Sequence, residues 1–269
     1  MPFRRRRGPR SAASRPRHSQ GDLVTKRVAL ITGASRGIGA AIARALAEDG
    51  YSLTLSARHE PELQAFAQTL REQTGTDVHV VAANMAHEDD VRRLATAHAG
   101  EFDRLDLLVL NAGVGASGTV AELLMKRFDL VHAVNLRAPY LLVSQSLPLL
   151  RKTATSDPQR GAKIVALSSI TGVVSEPQLA AYGASKAALI SLYETLNLEE
   201  SGNGVAATAI SPGYVDTDMA AWQEEHISRS DMLPASDVAE LVVAVSRLSS
   251  RAVVPNIVLS RRGDQLWRA

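Results

Sequence analysis

The chain contains no cysteine. That excludes disulfides and thiolate-ligated metal centres, and it leaves the redox compartment undetermined. Its histidines are scattered, with no H-x-x-x-H pair, so no metal site is expected. No uninterrupted apolar run approaches the roughly 18 residues that a membrane-spanning helix needs, so no membrane association is expected. Acid is missing from residues 1–21, which hold seven Arg (Arg4, Arg5, Arg6, Arg7, Arg10, Arg15 and Arg17) and three Pro. With that stretch set aside, 23 basic side chains face 28 acidic ones. The body therefore carries a net charge of −5, and the formal +2 of the whole chain comes from the tail. Such a composition cannot bury enough surface to fold, so residues 1–22 are expected to be a disordered basic extension. An Arg- and Ser-rich, acid-poor segment can also serve as a transit peptide, but Pro2, Gly8, Pro9 and Pro16 interrupt any amphipathic helix. The cytoplasm is the expected location, with organellar import through this tail as the alternative. Nucleic-acid binding by the tail is not expected to be the chain's function; unchanged polyanion binding after removal of residues 1–21 would dispose of it.

What is present is enough for one large domain, residues 23–269: an apolar share of 45% over 269 residues supports an ordinary packed core. Apolar runs and helical periodicities alternate. Strands are expected at residues 28–31, 53–57, 78–82, 105–110, 162–167, 205–210 and 253–259. Helices are expected at residues 40–48, 59–71, 87–99, 122–150 (broken near Pro139), 181–199 and 237–248. Pro61 falls in the first turn of its helix, where a missing N–H costs little. Strict alternation demands a mostly parallel sheet covered on both faces. The expected fold class is α/β, a single doubly wound, mostly parallel seven-stranded sheet of Rossmann-like type.

Ligands in such sheets lie beyond the carboxyl ends of the strands. Polar or turn residues stand there at six places: Gly33, Arg58, Asn84, Asn111, Ser169 and Pro212. The first is the most developed. Thr32 to Gly39 reads T-G-A-S-R-G-I-G between an apolar strand and a helix. Backbone N–H groups at a helix N-terminus attract phosphate, and glycines allow close approach. The spacing of Gly33, Gly37 and Gly39 differs from the commonest dinucleotide fingerprint, and a plain strand-to-helix turn is the alternative for this stretch taken alone.

Tyr182 and Lys186 stand four residues apart in Y-G-A-S-K, near a helix start, so both side chains share one face. An ammonium beside a phenol favours the phenolate and is expected to lower the tyrosine pKa from its usual 10 or so. A tyrosine so tuned exchanges protons near neutral pH.

Taken together, these motifs resemble the short-chain dehydrogenase/reductase family in its common form, across about residues 25–260. The glycine motif matches Thr32 to Gly39, and N-A-G matches Asn111, Ala112 and Gly113. An active-site Asn matches Asn135, and the family's Ser matches Ser169, thirteen residues before Tyr182. Y-x-x-x-K matches Tyr182 and Lys186, and P-G-x-x-x-T matches Pro212, Gly213 and Thr217. The resemblance implies a carbonyl reductase, or the reverse oxidation, with Tyr182 as general acid. Lys186 would tune Tyr182 and hold the nicotinamide ribose. Ser169 would bond the substrate carbonyl, and Asn135 would hold a water linking Lys186 to solvent. Spacing favours Ser169 over Ser168, which is expected to pack at the strand end. The implied cofactor contacts are Gly33, Ser35, Arg36, Ile38, Gly39, Arg58, Asn84, Met85, Asn111, Ala112, Gly113, Pro212, Gly213, Val215 and Thr217, besides Tyr182 and Lys186. One departure is Asn84, where the family usually has Asp against the adenine; its amide oxygen is the available substitute.

Cofactor choice follows from charge. NAD sites place an acid at the end of the second strand, and NADP sites place Arg near the 2′-phosphate. Here Ala57 is followed by Arg58, no acid comes before Glu60, and Arg36 lies in the glycine loop. NADPH is the expected cofactor, and a small carbonyl or alcohol the expected substrate. Specificity in the family comes from segments matching Thr171 to Ala181 and Tyr214 to Leu233. The latter holds Met219, Trp222 and His226 and suits a mobile lid; Trp222 either lines the pocket or packs the lid down. 3-Oxoacyl-[acyl-carrier-protein] reduction is the alternative activity. Leu141 and Asn203 occupy positions where those reductases carry docking Arg, and R-R-G-D-Q-L-W replaces a frequent terminal Gly-Gly. A non-catalytic NADP-binding regulator is the alternative of another class, and the intact Ser169, Tyr182 and Lys186 argue against it. The family is usually dimeric or tetrameric, so a homodimer or homotetramer is expected. Arg58→Glu is expected to reverse the preference for NADPH over NADH in steady-state oxidation assays; an unchanged ratio contradicts the assignment.

Overall fold

The computed structural model describes residues 26–223 and 227–263. The extension assigned to residues 1–22, the D-Q-L-W of the R-R-G-D-Q-L-W end, His226 and the side chain of Trp222 lie outside the described residues. In chain order the main elements are β1 (Val28–Thr32), α1 (Gly37–Glu48), β2 (Ser52–Ala57), α2 (Glu60–Thr74), β3 (Val78–Ala82), α3 (Glu88–Glu101) and β4 (Leu107–Leu110). They continue with α4 (Met125–His132), α5 (Ala138–Ser156), β5 (Ala162–Leu167), α6 (Ala180–Glu200), β6 (Val205–Pro212), α7 (Ala235–Ser246) and β7 (Asn256–Leu259).

The seven strands form one sheet in the order β3-β2-β1-β4-β5-β6-β7. Every pairing is parallel, so the sheet is parallel throughout rather than mostly so. The winding reverses between β1 and β4, the place at whose carboxyl ends sheets of this kind bind their ligands. Period-2 alternation divides the strands between two cores. Ala29 and Ile31 of β1, with Leu107 and Val109 of β4, pack under α1, α2 and α7. Leu30, Leu108 and Leu110 point the other way, under α3, α5 and α6. Both faces being covered, the central strands are apolar without interruption.

The differences from sequence expectation have local causes. β4 starts at Leu107 rather than Leu105. Asp106 instead turns its carboxylate to the Val28 N–H at 2.8 Å and to Arg104 Nε at 2.8 Å, which ties the start of β4 to β1. The long helix expected from Glu122 begins at Met125 and is interrupted by a π-helical turn over Ala133–Arg137. Pro139 has no N–H to offer the Asn135 carbonyl four residues back. The backbone widens, and the Ala138 N–H bonds the Ala133 carbonyl five residues back. Asn135 therefore sits in a bulge. β7 is shorter than expected because Pro255 precedes its first residue, Asn256.

His98 of α3 is a buried core residue, 1% exposed. Its Nδ1 lies 2.8 Å from Thr54 Oγ1 on β2 and its Nε2 lies 3.2 Å from the Arg104 carbonyl. A carbonyl only accepts, so Nε2 carries the proton and Nδ1 accepts from Thr54. Burial pulls the imidazole down to about 4 from 6.5. The unfolded chain then binds more protons than the folded one between those values, so stability is complete above about pH 6.5 and falls as pH drops toward 4. The full loss is about 3 kcal/mol. Urea unfolding of the wild type is expected to weaken over that window, with His98→Gln showing a flatter pH dependence from a lower starting stability; parallel curves contradict the assignment.

Candidate active site

The carboxyl end of the sheet is assembled from six strand exits. At the first, Thr32 Oγ1 accepts the N–H groups of Asn111 and Ala112, each at 3.1 Å. Asn111 returns its side-chain amide to the carbonyls of Thr32 at 3.0 Å and Gly33 at 2.9 Å. These four bonds pin the glycine turn after β1 to the N-A-G stretch after β4. Gly33 has φ +65° and Gly37 φ +55°, conformations that glycine adopts without strain. Gly39 is fixed by space instead. A Cβ there would lie 2.2 Å from the Gly33 carbonyl oxygen and 2.5 Å from Asn111 Nδ2. The turn and the start of α1 are thus packed backbone on backbone, with Ser35 half-buried, Ile38 packed toward the core and Arg36 exposed. The amide of Asn111 is used up in shaping this turn.

β1 and β2 run in register with Thr32 beside Ser56, and the Ala34 N–H reaches the Ser56 carbonyl at 3.0 Å. The exit of β2 therefore brings Arg58 alongside the glycine turn. Arg58 is exposed and has no ion-pair partner among the described residues. Arg36 differs: its Nη1 pairs with Asp218 Oδ2 at 3.2 Å. Of the two cations expected at this spot, Arg58 is the unengaged one. After β3, Asn84 Oδ1 accepts the Ala86 N–H at 3.1 Å, while its own N–H goes to Asp90 Oδ2 at 2.8 Å. The loop is held by Asn84, and Met85 is buried beside it.

The second half of the site gathers Ser169, Tyr182, Lys186 and Asn135. Ser169 leaves β5 and caps a short 3-10 turn, Ile170–Gly172. Its Oγ accepts from the Thr171 N–H at 3.2 Å and the Thr171 hydroxyl at 2.9 Å. With its lone pairs occupied by Thr171, the Ser169 hydroxyl keeps its own proton as a donor, and its influence lowers the Tyr182 pKa. The turn lies against α6 without room to spare. A Cβ on Gly172 would meet the Lys186 carbonyl carbon at 2.8 Å, and one on Gly183 would meet the Thr171 carbonyl oxygen at 2.8 Å. Two glycines thus set the distance between Ser169 and the helix bearing Tyr182. Ser168 is turned away, its hydroxyl bonding the Lys186 carbonyl at 2.9 Å.

Lys186 is buried, 4% exposed, and its Nζ donates to the Leu167 carbonyl at 2.6 Å. It lies 5.5 Å from the Tyr182 ring centroid. Asn135 is buried too. Its Oδ1 accepts the Val114 N–H at 2.9 Å, and its Nδ2 serves the Val114 carbonyl at 3.0 Å and Ser185 Oγ at 3.1 Å. Ser185 passes its own hydroxyl to the Tyr182 carbonyl at 2.7 Å. Asn135 Oδ1 and Lys186 Nζ converge on one glycine, lying 3.5 and 3.6 Å from a Cβ placed on Gly113. The π-helical turn is what brings the Asn135 side chain to this point.

Electrostatics correct one expectation. Burial pushes the half-buried Tyr182 phenol up to about 12, with the Ser169 bond opposing, rather than the lysine pulling it down. Burial also lowers Lys186 to about 8. The ammonium is committed to Leu167, so desolvation outweighs its influence on the phenol.

The wall opposite is the segment after β6. Gly213 N–H bonds the Leu259 carbonyl at 2.9 Å. Buried Val215 bridges Leu233, and the Leu233 N–H meets the Tyr214 carbonyl at 2.9 Å, so the base of the segment is closed. Thr217 lies 3.2 Å from a Cβ placed on Gly37, which brings this segment over the glycine turn. Thr32, Gly183 and Ser185 lie inside the sequence motifs and Gly172 just after Ser169, but motif matching does not assign their structural roles.

A family model for the short chain dehydrogenases matches residues 27–228. A 3-oxoacyl-[acyl-carrier-protein] reductase of Staphylococcus aureus is 32% identical over 192 residues, 71% of this chain and 75% of that protein. Among solved structures, an alcohol dehydrogenase of Thermococcus sibiricus complexed with 5-hydroxy-NADP matches with TM-score 0.80 and 29% identity, covering 89% of this chain and 99% of that one. A Pseudomonas aeruginosa RhlG/NADP complex matches with TM-score 0.79 and 29% identity, covering 87% and 93%. The chain belongs to the short-chain dehydrogenase family and is an oxidoreductase of that family.

Proposed function

We propose that the protein is an NADPH-dependent carbonyl reductase in which Tyr182 donates the proton. The observation that carries this reading is the close packing of the Ser169 turn on α6 at Gly172 and Gly183, with buried Lys186 5.5 Å from the Tyr182 ring. Bound NADPH supplies the hydride. A phenol held near 12 keeps its proton at neutral pH, which suits donation to a carbonyl oxygen acquiring charge. Run in reverse, the same tyrosine takes the proton from an alcohol. With its lone pairs held by Thr171, the Ser169 hydroxyl has its one proton to donate to the carbonyl oxygen. Lys186 keeps a cation under the ribose and phenol, and Asn135, through its carbonyl in the bulge, holds the water that resupplies protons.

Support for NADP rather than NAD comes from Arg58, exposed and unpaired among the described residues beside a turn whose Gly39 admits no side chain, and from the two neighbours solved with NADP ligands. Arg36 must leave Asp218 to contribute. The Staphylococcus aureus relative favours a second reading, acyl-carrier-protein substrates. Against it, Leu141 packs on the core and Asn203 bonds Glu200 at 3.1 Å, so neither position presents a cation for an acidic carrier. The reading includes a homodimer or homotetramer formed through the α4–α5 and α6 face. There an open groove runs past Leu130, Leu136, Tyr140 and Leu192, with Tyr140 62% exposed; a monomer in sedimentation would remove that part.

The test follows NADPH oxidation at 340 nm over ketones, aldehydes, quinones and 3-oxoacyl thioesters. The wild type is expected to turn over at least one class, with Tyr182→Phe lowering kcat by roughly 10²–10⁴-fold. The rate should fall as pH rises through about 8, where Lys186 loses its proton. NADPH binding without turnover of any class, or a fully active Tyr182→Phe, contradicts the proposal.

A further inference from the structure

The glycine turn and the exit of β2 are joined by the bond from the Ala34 N–H to the Ser56 carbonyl at 3.0 Å. Arg36 lies two residues beyond one end of that bond and Arg58 two residues beyond the other. Neither stretch supplies a counter-charge, since Thr32 to Gly39 and Ser56 to His59 contain no acid. Arg36 stands at the N-cap of α1 with an extended backbone, and its side chain is 70% exposed. Its guanidinium therefore meets whatever anion another segment, or a ligand at the head of α1, brings to it.

In the ligand-free chain that anion is Asp218, on the segment after β6. Its Oδ2 lies 3.2 Å from Arg36 Nη1, and its side chain is 71% exposed. Packing as well as charge puts it there: the preceding residue, Thr217, comes within 3.2 Å of a Cβ placed on Gly37, the neighbour of Arg36. Asp216, two residues earlier, turns to Arg229 at 3.1 Å instead. Both partners of an exposed pair are reachable by a solute, and the pair itself contributes little. A phosphate dianion carries more charge than a carboxylate and fits the guanidinium fork. Arg36 can therefore exchange a protein carboxylate for a ligand phosphate without leaving a buried group unpaired.

We propose that Asp218 is a positioning residue for cofactor choice. It competes with the 2′-phosphate of NADPH for the Arg36 guanidinium, so the phosphorylated cofactor displaces it and the unphosphorylated one leaves the pair intact. Asp218 thereby moderates a preference that Arg58, which has no ion-pair partner to displace among the described residues, provides outright. This inference rests on the NADPH reading given above, and its test separates the two.

The experiment measures Kd for NADPH and for NADH by titration calorimetry at one fixed ionic strength. It uses the full chain as wild type, Asp218→Asn, Asp218→Glu, Arg36→Ala, and Arg36→Ala combined with Asp218→Asn. Asp218→Asn is expected to bind NADPH roughly two- to fivefold more tightly, the range an exposed ion pair commands, with Kd for NADH unchanged. Asp218→Glu keeps the charge and should keep the wild-type ratio of the two constants. On the Arg36→Ala background, Asp218→Asn should change neither constant, because nothing then holds the carboxylate at the turn. An unchanged NADPH affinity in Asp218→Asn, an equal gain for NADH, an Asp218→Glu that behaves like Asp218→Asn, or a gain that persists without Arg36 would each overturn the competition; the last would make Asp218 a repelling charge that acts without Arg36. A wild type that binds NADH as tightly as NADPH overturns the NADPH reading, and this inference with it.

Discussion

The pinning of β1 to β4 underlies the rest of the carboxyl edge. These strands are adjacent in the sheet although far apart in sequence, and the winding reverses between them. Thr32 and Asn111 join their exits through one hydroxyl and one amide, each used more than once. The lock fixes Gly33 in its turn, and the turn sets the start of α1 against the backbone of Gly33 itself. From there the register of the parallel sheet carries position outward, to Arg58 on one side and to Ser169 and Pro212 on the other. Parallel strands in register end together, so residues distant in sequence arrive at one edge without loops having to search for them.

Polar contacts here are divided between two environments. At the site, Asn135, Lys186 and Ser185 are buried, and each has found a protein partner. Buried networks of this kind are satisfied or costly, so they hold side chains in single positions. The segment after β6 is tacked down differently, by the Arg36–Asp218 and Arg229–Asp216 pairs on the surface. Exposed pairs contribute about 0–1 kcal/mol each. Arg36 links the position of this segment to the glycine turn.

Much of this was legible in the chain. Strand–helix alternation, with β3 and β5 found at their expected limits, defined the sheet, because buried parallel strands read as apolar runs and their exits as glycine, Asn or Ser. The family motifs then placed Ser169, Tyr182 and Lys186 together. What escaped was set by tertiary contacts. Pro139 announced a break, but not that the chain would widen into a π turn presenting Asn135. Tyr182 and Lys186 at helical spacing suggested a depressed phenol pKa. Burial and the Leu167 carbonyl, neither visible in Y-G-A-S-K, reverse that. Arg36 looked like a free cation until Asp218, on a distant segment, was brought to it.

The central claim is that this edge brings a nicotinamide hydride donor and a carbonyl together in front of Tyr182. The most direct measurement is isotope transfer from NADPH deuterated at C4 of the nicotinamide, prepared in each stereochemical form, to a ketone that the enzyme turns over. The account predicts that one form delivers a deuterium to the carbinol carbon of every product molecule and the other delivers none, with the hydroxyl proton coming from solvent. Alcohol formed without label from either form would contradict it.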